Sequence, residues 1–393
     1  MSEWFFMAGL RECSVVYFGN DWSAENRTSS HHIALRLAGL VPVLYIETPG
    51  SRAPQSSARD FRKLWRKLTR MFAPPRKIHD RLYVATIPQI PFRKLPLVGA
   101  LNRRLGGFLA RRAIARLGFI RLVSWFVVPH PGALAKRLGE TLTVYYCIDD
   151  YAAHPGMDVA AIQALDDHLT RVADVVFVAP RALVEAKRAL NPHVYFSPHG
   201  VDFDLFAQAA DPATQPAEET RSLRHPIIGY FGSLAPYIDH DLLVYLARSR
   251  PQWTFLFVGY VSSDVSRLRE CVNVVLAGPQ PYETLPRWAK AFDVAICPYL
   301  VNRQVKNSNP LKLREYLATG KPVVSVVIPE SAQFANCVYL AENREQYLAA
   351  IERALAEDGP ELQKQRMHAV AGASWDARFQ ETVAVVDGLL GKK

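Results

Sequence analysis

The chain has 393 residues, 49% hydrophobic and 21% charged, which excludes a disordered, collagenous or coiled-coil protein and suits two or three domains of roughly 150 residues each. No apolar run approaches the roughly 18 residues that cross a bilayer, and MSEWFFMAGLREC lacks the basic-then-apolar pattern of a secretory signal. The net charge of +10 is uneven: residues 59–121 hold seventeen Lys and Arg against Asp60 and Asp80, a net of +15, so everything outside that window sums to −5.

Taken in chain order, CSVVYF (13–18) reads as a strand, GNDWSAENRTSS as a loop, HHIALRLAGL (31–40) as a helix and VPVLYIET (41–48) as a second strand. The cationic window follows. RDFRKLWRKLTRMF (59–72) sets Phe61, Leu64, Trp65, Leu68 and Phe72 on one helical stripe among Arg and Lys, and residues 97–118 repeat the mixture around paired arginines. Such a stripe either docks on the core beneath a solvated face or lies on anionic lipid. The Trp, Phe and Leu opposite basic residues favour a membrane surface or a lipid-phosphate acceptor. No nucleic-acid motif accompanies the charge, so nucleic acid is not an expected partner.

LVSWFVV (122–128), TVYYCI (143–148), DVVFVA (174–179) and HVYFSP (193–198) are further strands, the last leading into HGVD at 199–202. Residues 207–226 are rich in Pro, Ala and polar groups, as linkers are. The rhythm then restarts with IIGYF (227–231), TFLFV (254–258), NVVLA (273–277), DVAIC (293–297) and PVVSVV (322–327), separated by helices near 241–249, 283–291 and 311–319. Apolar strands alternating with helices predict an α/β protein of two doubly wound, Rossmann-like units with parallel sheets covered on both faces. The expected domains are 1–205, 206–372 and a C-terminal helical segment at 373–393. The cysteines (Cys13, Cys147, Cys271, Cys297, Cys337) have no disulfide or zinc spacing and read as core residues in a reducing cytosol.

The most informative stretch is NPLKLREYLATGKPVVSVV (309–327), a loop leading into a helix and then a strand. A helix N-terminus presents free amides and the positive end of a dipole to a phosphate. Lys312 in the first turn adds a mobile charge, and Glu315, three residues on, lies on nearly the same face, where a ribose diol could donate to it. Gly320 reads as a plain C-cap. Upstream, IIGYFGSLAPYID ends a strand in Gly232, Ser233 and Leu234, small enough for a ligand to reach the backbone. The sequence lacks GxGxxG and GxxxxGK[ST] here, which argues against a dinucleotide fingerprint or a P-loop.

Two doubly wound halves with HGVD before the linker, YFGSL opening the second half and NPLKLREYLATGKPVV near its end resemble a GT-B glycosyltransferase, in which two Rossmann-like domains face a cleft. The chain is most similar to the family-4-like glycosyltransferases of bacterial surface polysaccharide assembly, of the teichuronic-acid type, and more distantly to the xanthan glucuronosyltransferase. The resemblance implies a metal-independent hexosyltransferase without a cofactor. It would move a sugar, glucuronate or another hexose, from a nucleotide sugar, UDP-linked by expectation. The acceptor would be lipid-linked or a polysaccharide precursor, at the cytoplasmic face of the membrane, with residues 59–121 on the anionic surface.

By the same resemblance Gly232, Ser233 and Leu234 face the diphosphate, Tyr299 faces the donor, and Asn309, Leu311, Lys312 and Glu315 contact nucleotide and diphosphate. The turn GSLAPYID lacks the basic pair of many retaining relatives, and Asn307 stands where their Glu-x7-Glu motif has its first Glu. Phosphate neutralisation then falls on Lys312 and the helix N-terminus.

Asp149, ending TVYYCID, matches the general base of the xanthan enzyme. A one-step displacement needs such a carboxylate near the attacking hydroxyl. Side chains alternate along a strand, so only one of Asp149 and Asp150 would face the substrate; Asp150 is the alternate, and both capping the next turn is the structural reading. Gly19, Asn20 and Asp21 form a loop after the first strand, where the family places an acceptor and phosphate loop or where a simple turn would serve. His130 is a donor-sugar contact or a structural histidine between Pro129 and Pro131. His31 and His32 read as a helix cap with partly exposed rings, and His199 as structural. Two rivals remain: a GT-B sugar-nucleotide 2-epimerase, and a non-catalytic partner that binds a sugar nucleotide or a membrane.

Overall fold

The computed structural model describes residues 9–23, 28–47, 73–87 and 96–392. The stripe predicted at 59–72 lies outside them. The chain divides into two compact units, Met1–Pro198 with Arg378–Lys393, and His199–Ala377.

The first unit contains β1 (Ser14–Gly19), β2 (Val43–Glu47), β3 (Arg76–His79), β4 (Leu82–Thr86), β5 (Leu122–Phe126), β6 (Leu142–Cys147), β7 (Val175–Val178) and β8 (Val194–Phe196). They form one sheet in the order β3-β4-β2-β1-β5-β6-β7-β8, parallel except where β3 runs against β4. Strands β1, β5, β6 and β7 are buried along their whole length, because helices cover both faces and leave no polar side to alternate with. Edge strand β3 is the opposite, with Arg76, Lys77 and His79 exposed. Charge on an edge strand discourages pairing with another chain.

The predicted helix at 97–118 is one helix, Pro96–Leu117, and Gly106 and Gly107 do not break it. Both glycines are buried, and a Cβ on Gly106 would touch Ile87 and Leu134 only at ordinary contact distance. The helix Ser29–Leu40 opens with a capping box. The backbone N–H of Thr28 donates to Nδ1 of His31 (3.2 Å), and Nε2 of His31 lies 3.2 Å from the carbonyl of Trp22. An accepting Nδ1 and a donating Nε2 fix a neutral tautomer. His31 is therefore part of the cap, and both His31 and His32 are buried, at 5% and 4% exposure, rather than partly exposed.

The second unit contains β9 (Ile227–Phe231), β10 (Thr254–Val258), β11 (Val274–Gly278), β12 (Val294–Cys297), β13 (Val323–Val326) and β14 (Tyr339–Ala341), all parallel in the order β11-β10-β9-β12-β13-β14. Asp239, Asn302 and Asn343 each cap a helix by accepting an amide of its first turn. The division at Pro198/His199 precedes the 205/206 boundary read from composition, because residues 199–206 already pack in the second unit. Val201 donates to Ala373 (2.9 Å) and Phe206 is fully buried in the second core. The last helix, Trp375–Leu390, begins in the second unit, and from Arg378 on it belongs to the first, where Asp387 accepts the amide of Leu10 at 2.7 Å. All five cysteines are buried free thiols. Among the described residues no helix is long and apolar enough to cross a membrane.

Candidate functional site

In the second unit the carboxyl ends of β9, β10 and β11 are laced together. Gly232 donates to Val258 (2.7 Å), Gly259 to Gly278 (2.8 Å) and Leu234 to Tyr260 (2.8 Å). Gly232 and Gly259 have φ of +129° and +147°, a region that only glycine visits cheaply. A Cβ on Gly232 would overlap Cε of Lys312, so the lysine stem lies directly over the turn. Its Nζ sits 5.9 Å from the centroid of Tyr230. The amides of Gly232 and Leu234 are spent on the lacing. The Ser233 hydroxyl at the same turn pairs with Ser262 at 3.0 Å. Leu234 is buried, and its carbonyl accepts from Ser262 and Ser263.

Lys312 is the second residue of the helix Leu311–Ala318. Pro310 precedes that helix and no side chain caps it, so its first amides remain available to an anion. Leu311 is half-buried at the first helical position. Two devices hold the helix. The amide of Phe231 donates to the Tyr316 hydroxyl (2.9 Å), which anchors it to the end of β9. Asn309 is buried, with its side-chain oxygen accepting from Arg314 (2.8 Å) and its carbonyl from Nδ1 of His199 (2.9 Å). Arg314 also pairs with buried Glu330. Burial, with Arg314 adding to it, lowers the His199 pKa to about 3, so this ring stays neutral and acts as a latch on the loop before the helix. Asn309 thus spends its side chain on supporting the loop.

Glu315 is buried, and burial raises its carboxyl to about 7 against the counter-effect of Lys312. The Tyr282 hydroxyl lies 3.0 Å from Oδ2 of Asp202 and 3.3 Å from Oε1 of Glu315, joining HGVD to the helix. Neither Tyr282 nor Asp202 was legible as a partner, because each enters from a loop distant in sequence. Tyr299 is buried at 5% exposure and bridges to Ile238. The second unit therefore brings Gly232 and Lys312 into contact, sets Glu315 on the same helix, and keeps Tyr299 packed beside Tyr237 (6.3 Å).

In the first unit Asp149 and Asp150 lie beyond β6, which ends at Cys147, so the alternation argument does not apply to them. Asp149 is partly exposed: Oδ1 accepts the amide of Asp150 (2.9 Å) and Oδ2 lies 2.8 Å from Nε2 of His154. Asp150 is buried and opens the short turn Tyr151–Ala153. That turn brings His154 back onto Asp149, a pairing that strand and helix periodicities do not encode. Tyr151 is the hub. It stacks on His154 (5.5 Å), takes His130 edge-on (6.1 Å) and lies beside Asn20. Tyr45 donates to the Asn20 carbonyl (2.8 Å), and a Cβ on Gly19 would overlap that hydroxyl. Asp149, His130, Gly19 and Asn20 thus converge, while Asp21 accepts from Ser23 in an exposed turn and does not join them.

Substituting Gly232 tests the second-unit geometry. Gly232→Ala is expected to destabilise the protein by about 1–3 kcal/mol through its φ alone, and to displace Lys312. In a thermal melt, Gly232→Ala with Lys312→Ala should recover part of the loss, because the overlap is gone. Strict additivity of the two changes would contradict the contact.

Residues 225–357 match the family model for glycosyl transferases group 1. A Bacillus subtilis (strain 168) protein assigned by name to teichuronic acid biosynthesis as a glycosyltransferase is 30% identical over 196 residues, 47% of this chain and 48% of that one. The chain thus spans about half the length of this relative. The sucrose-phosphate synthase from Thermosynechococcus elongatus matches 97% of this chain and 100% of its own with a TM-score of 0.69 at 16% identity. HepE from Anabaena, solved in complex with UDP and glucose, matches 95% and 99% with a TM-score of 0.64 at 14% identity. The trehalose-6-phosphate structure from E. coli bound with UDP-2-fluoro glucose matches 95% and 99% with 0.66 at 11%. The chain has the GT-B fold, and its residues 225–357 match the model for glycosyl transferases group 1.

Proposed function

We propose that the protein is a glycosyltransferase that binds a UDP-sugar in its second unit and transfers the sugar, glucuronate or a related hexose, to a lipid-linked or polysaccharide-precursor acceptor at the cytoplasmic face of the membrane. The observation that carries this reading is the seat made by Gly232, Lys312 and the uncapped helix Leu311–Ala318, with Glu315 one turn further on. It offers a cation and amides to a diphosphate, and a carboxylate to a ribose. The choice of UDP draws support from the two neighbours solved with UDP or a UDP-sugar.

In the reaction the acceptor hydroxyl attacks the anomeric carbon as the bond to the diphosphate breaks. Asp149 takes the hydroxyl proton, and Lys312 with the helix amides neutralises the charge that builds on the departing diphosphate. No metal or cofactor is required by this scheme. The exposed Leu101 and Phe108 on the arginine-rich helix Pro96–Leu117 support seating on an anionic membrane surface.

Calorimetry with UDP, GDP and ADP, without added metal, tests the donor half; failure of all three to bind sinks the reading. Asp149→Ala tests the chemistry. It should lower release of UDP from UDP-glucuronate or UDP-glucose, assayed with membranes of the source organism, by about 10²–10⁴-fold while UDP binding survives. Undiminished turnover in that variant would place the base elsewhere.

A further inference from the structure

A shallow pocket, open to solvent, lies in the first unit between the carboxyl ends of β2 and β4 and the helix Pro96–Leu117. The floor is apolar and continuous with the first core, formed by buried Ile46, Ile87, Leu109 and Ala113. Two exposed arginines one helical turn apart, Arg112 and Arg116, also line it. Between Pro96 and Arg121 the chain has six arginines and no acidic residue, and among the described residues no carboxylate pairs with Arg112 or Arg116. The same helix exposes Leu101 and Phe108, at 51% and 52%.

We infer that this pocket holds a lipid phosphate, with the phosphate on Arg112 and Arg116 and the first carbons of the chain on the apolar floor. Two guanidinium groups match a phosphate by charge and by fork geometry, and nothing acidic among the described residues competes for them. The floor offers hydrocarbon an exit from water, whereas a sugar would leave its hydroxyls without partners there. The one hydroxyl in the lining, on Thr86, already donates to Glu47 (2.7 Å). Exposed Leu101 and Phe108 would set this helix into the bilayer surface, the place from which such a ligand comes. The inference rests on the transferase reading only in taking this lipid as the anchor of the acceptor; affinity for it is a separate property.

Calorimetry on the full chain with farnesyl phosphate, inorganic phosphate and farnesol tests the assignment. Farnesyl phosphate should bind, with the other two about 30-fold weaker or more, since each supplies half of the match. R112E/R116E should cost about 30-fold or more, while R103E/R104E, an equal charge change on the same helix, should cost less than about 3-fold. Equal losses in the two variants would make the charge a diffuse surface and overturn the site, as would farnesyl phosphate binding no better than phosphate. An unchanged thermal melt of the full chain shows that the variants remain folded. Should UDP fail to bind any form while farnesyl phosphate still follows Arg112 and Arg116, the pocket stands and the transferase reading falls.

Discussion

Lys312→Met is expected to weaken UDP binding by about 100-fold and to leave uridine binding within about 2-fold, because a charge-assisted contact to phosphate contributes about 1.5–3 kcal/mol and uridine makes none. Methionine keeps most of the stem, so the Cε that fills the space above Gly232 is retained and the change isolates the charge. Few other cations share the load, because the turn reads GSLAPYID and carries none of its own. The wild-type affinity for UDP should also fall with added salt more steeply than that of the variant. Calorimetry with both ligands decides: an equal loss for UDP and uridine would move Lys312 away from the phosphates.

The parts of this molecule that were legible in the sequence are those where one physical cause acts alone. Strands such as Val15–Phe18, Tyr145–Cys147 and Ile227–Phe231 sit in sheets covered on both faces, so unbroken apolar runs announce them. Strand β3 escaped because Arg76, Lys77 and His79 hold an exposed edge, where neither burial nor alternation leaves a signal. β14 escaped for its length, three residues at the far edge of its sheet. The helices Val159–Val172, Arg344–Glu357 and Pro360–Ala371 fall outside the predicted elements, although Asp158 and Asn343 are ordinary caps for the first two.

The candidate sites divide the same way. Lys312 and Glu315 were legible because helical spacing puts i and i+3 side by side. The partners that tune them were not. Tyr282 and Asp202 reach Glu315 through tertiary folding, and Tyr316 binds the backbone of a strand 85 positions away. In the first unit the sequence points to the carboxylate but not to His154, whose approach depends on a single short turn, or to Tyr151, whose ring lies against His130, His154 and Asn20. Residue type and spacing locate a functional group, but its environment is written in contacts that sequence spacing does not carry.

That environment makes Glu315 the most pH-sensitive group of the proposed donor site. Burial raises its carboxyl to about 7 in the folded protein, from an ordinary 4.5. Between those two values the folded state holds a proton that the unfolded chain has lost, so this group's contribution to stability falls as pH rises from 4.5 to 7 and stays low above. Glu315→Gln keeps the side chain neutral at every pH. The variant should match wild type near pH 5 and exceed it at pH 8 by about 2–3 kcal/mol, less the roughly 1 kcal/mol of any weakened hydrogen bond to Tyr282. Chemical denaturation at the two pH values reads this directly, and a variant less stable than wild type at pH 8 would refute it. Binding should run the other way. Ribose hydroxyls donate best to an ionised carboxylate, so wild-type affinity should fall up to about tenfold per pH unit below 7. Uridine is the right probe, because a terminal phosphate titrates near pH 6 and would confuse the profile. Uridine affinity that declines below pH 7 in wild type and is flat in Glu315→Gln would seat the ribose on Glu315; parallel profiles in the two proteins would remove it from there.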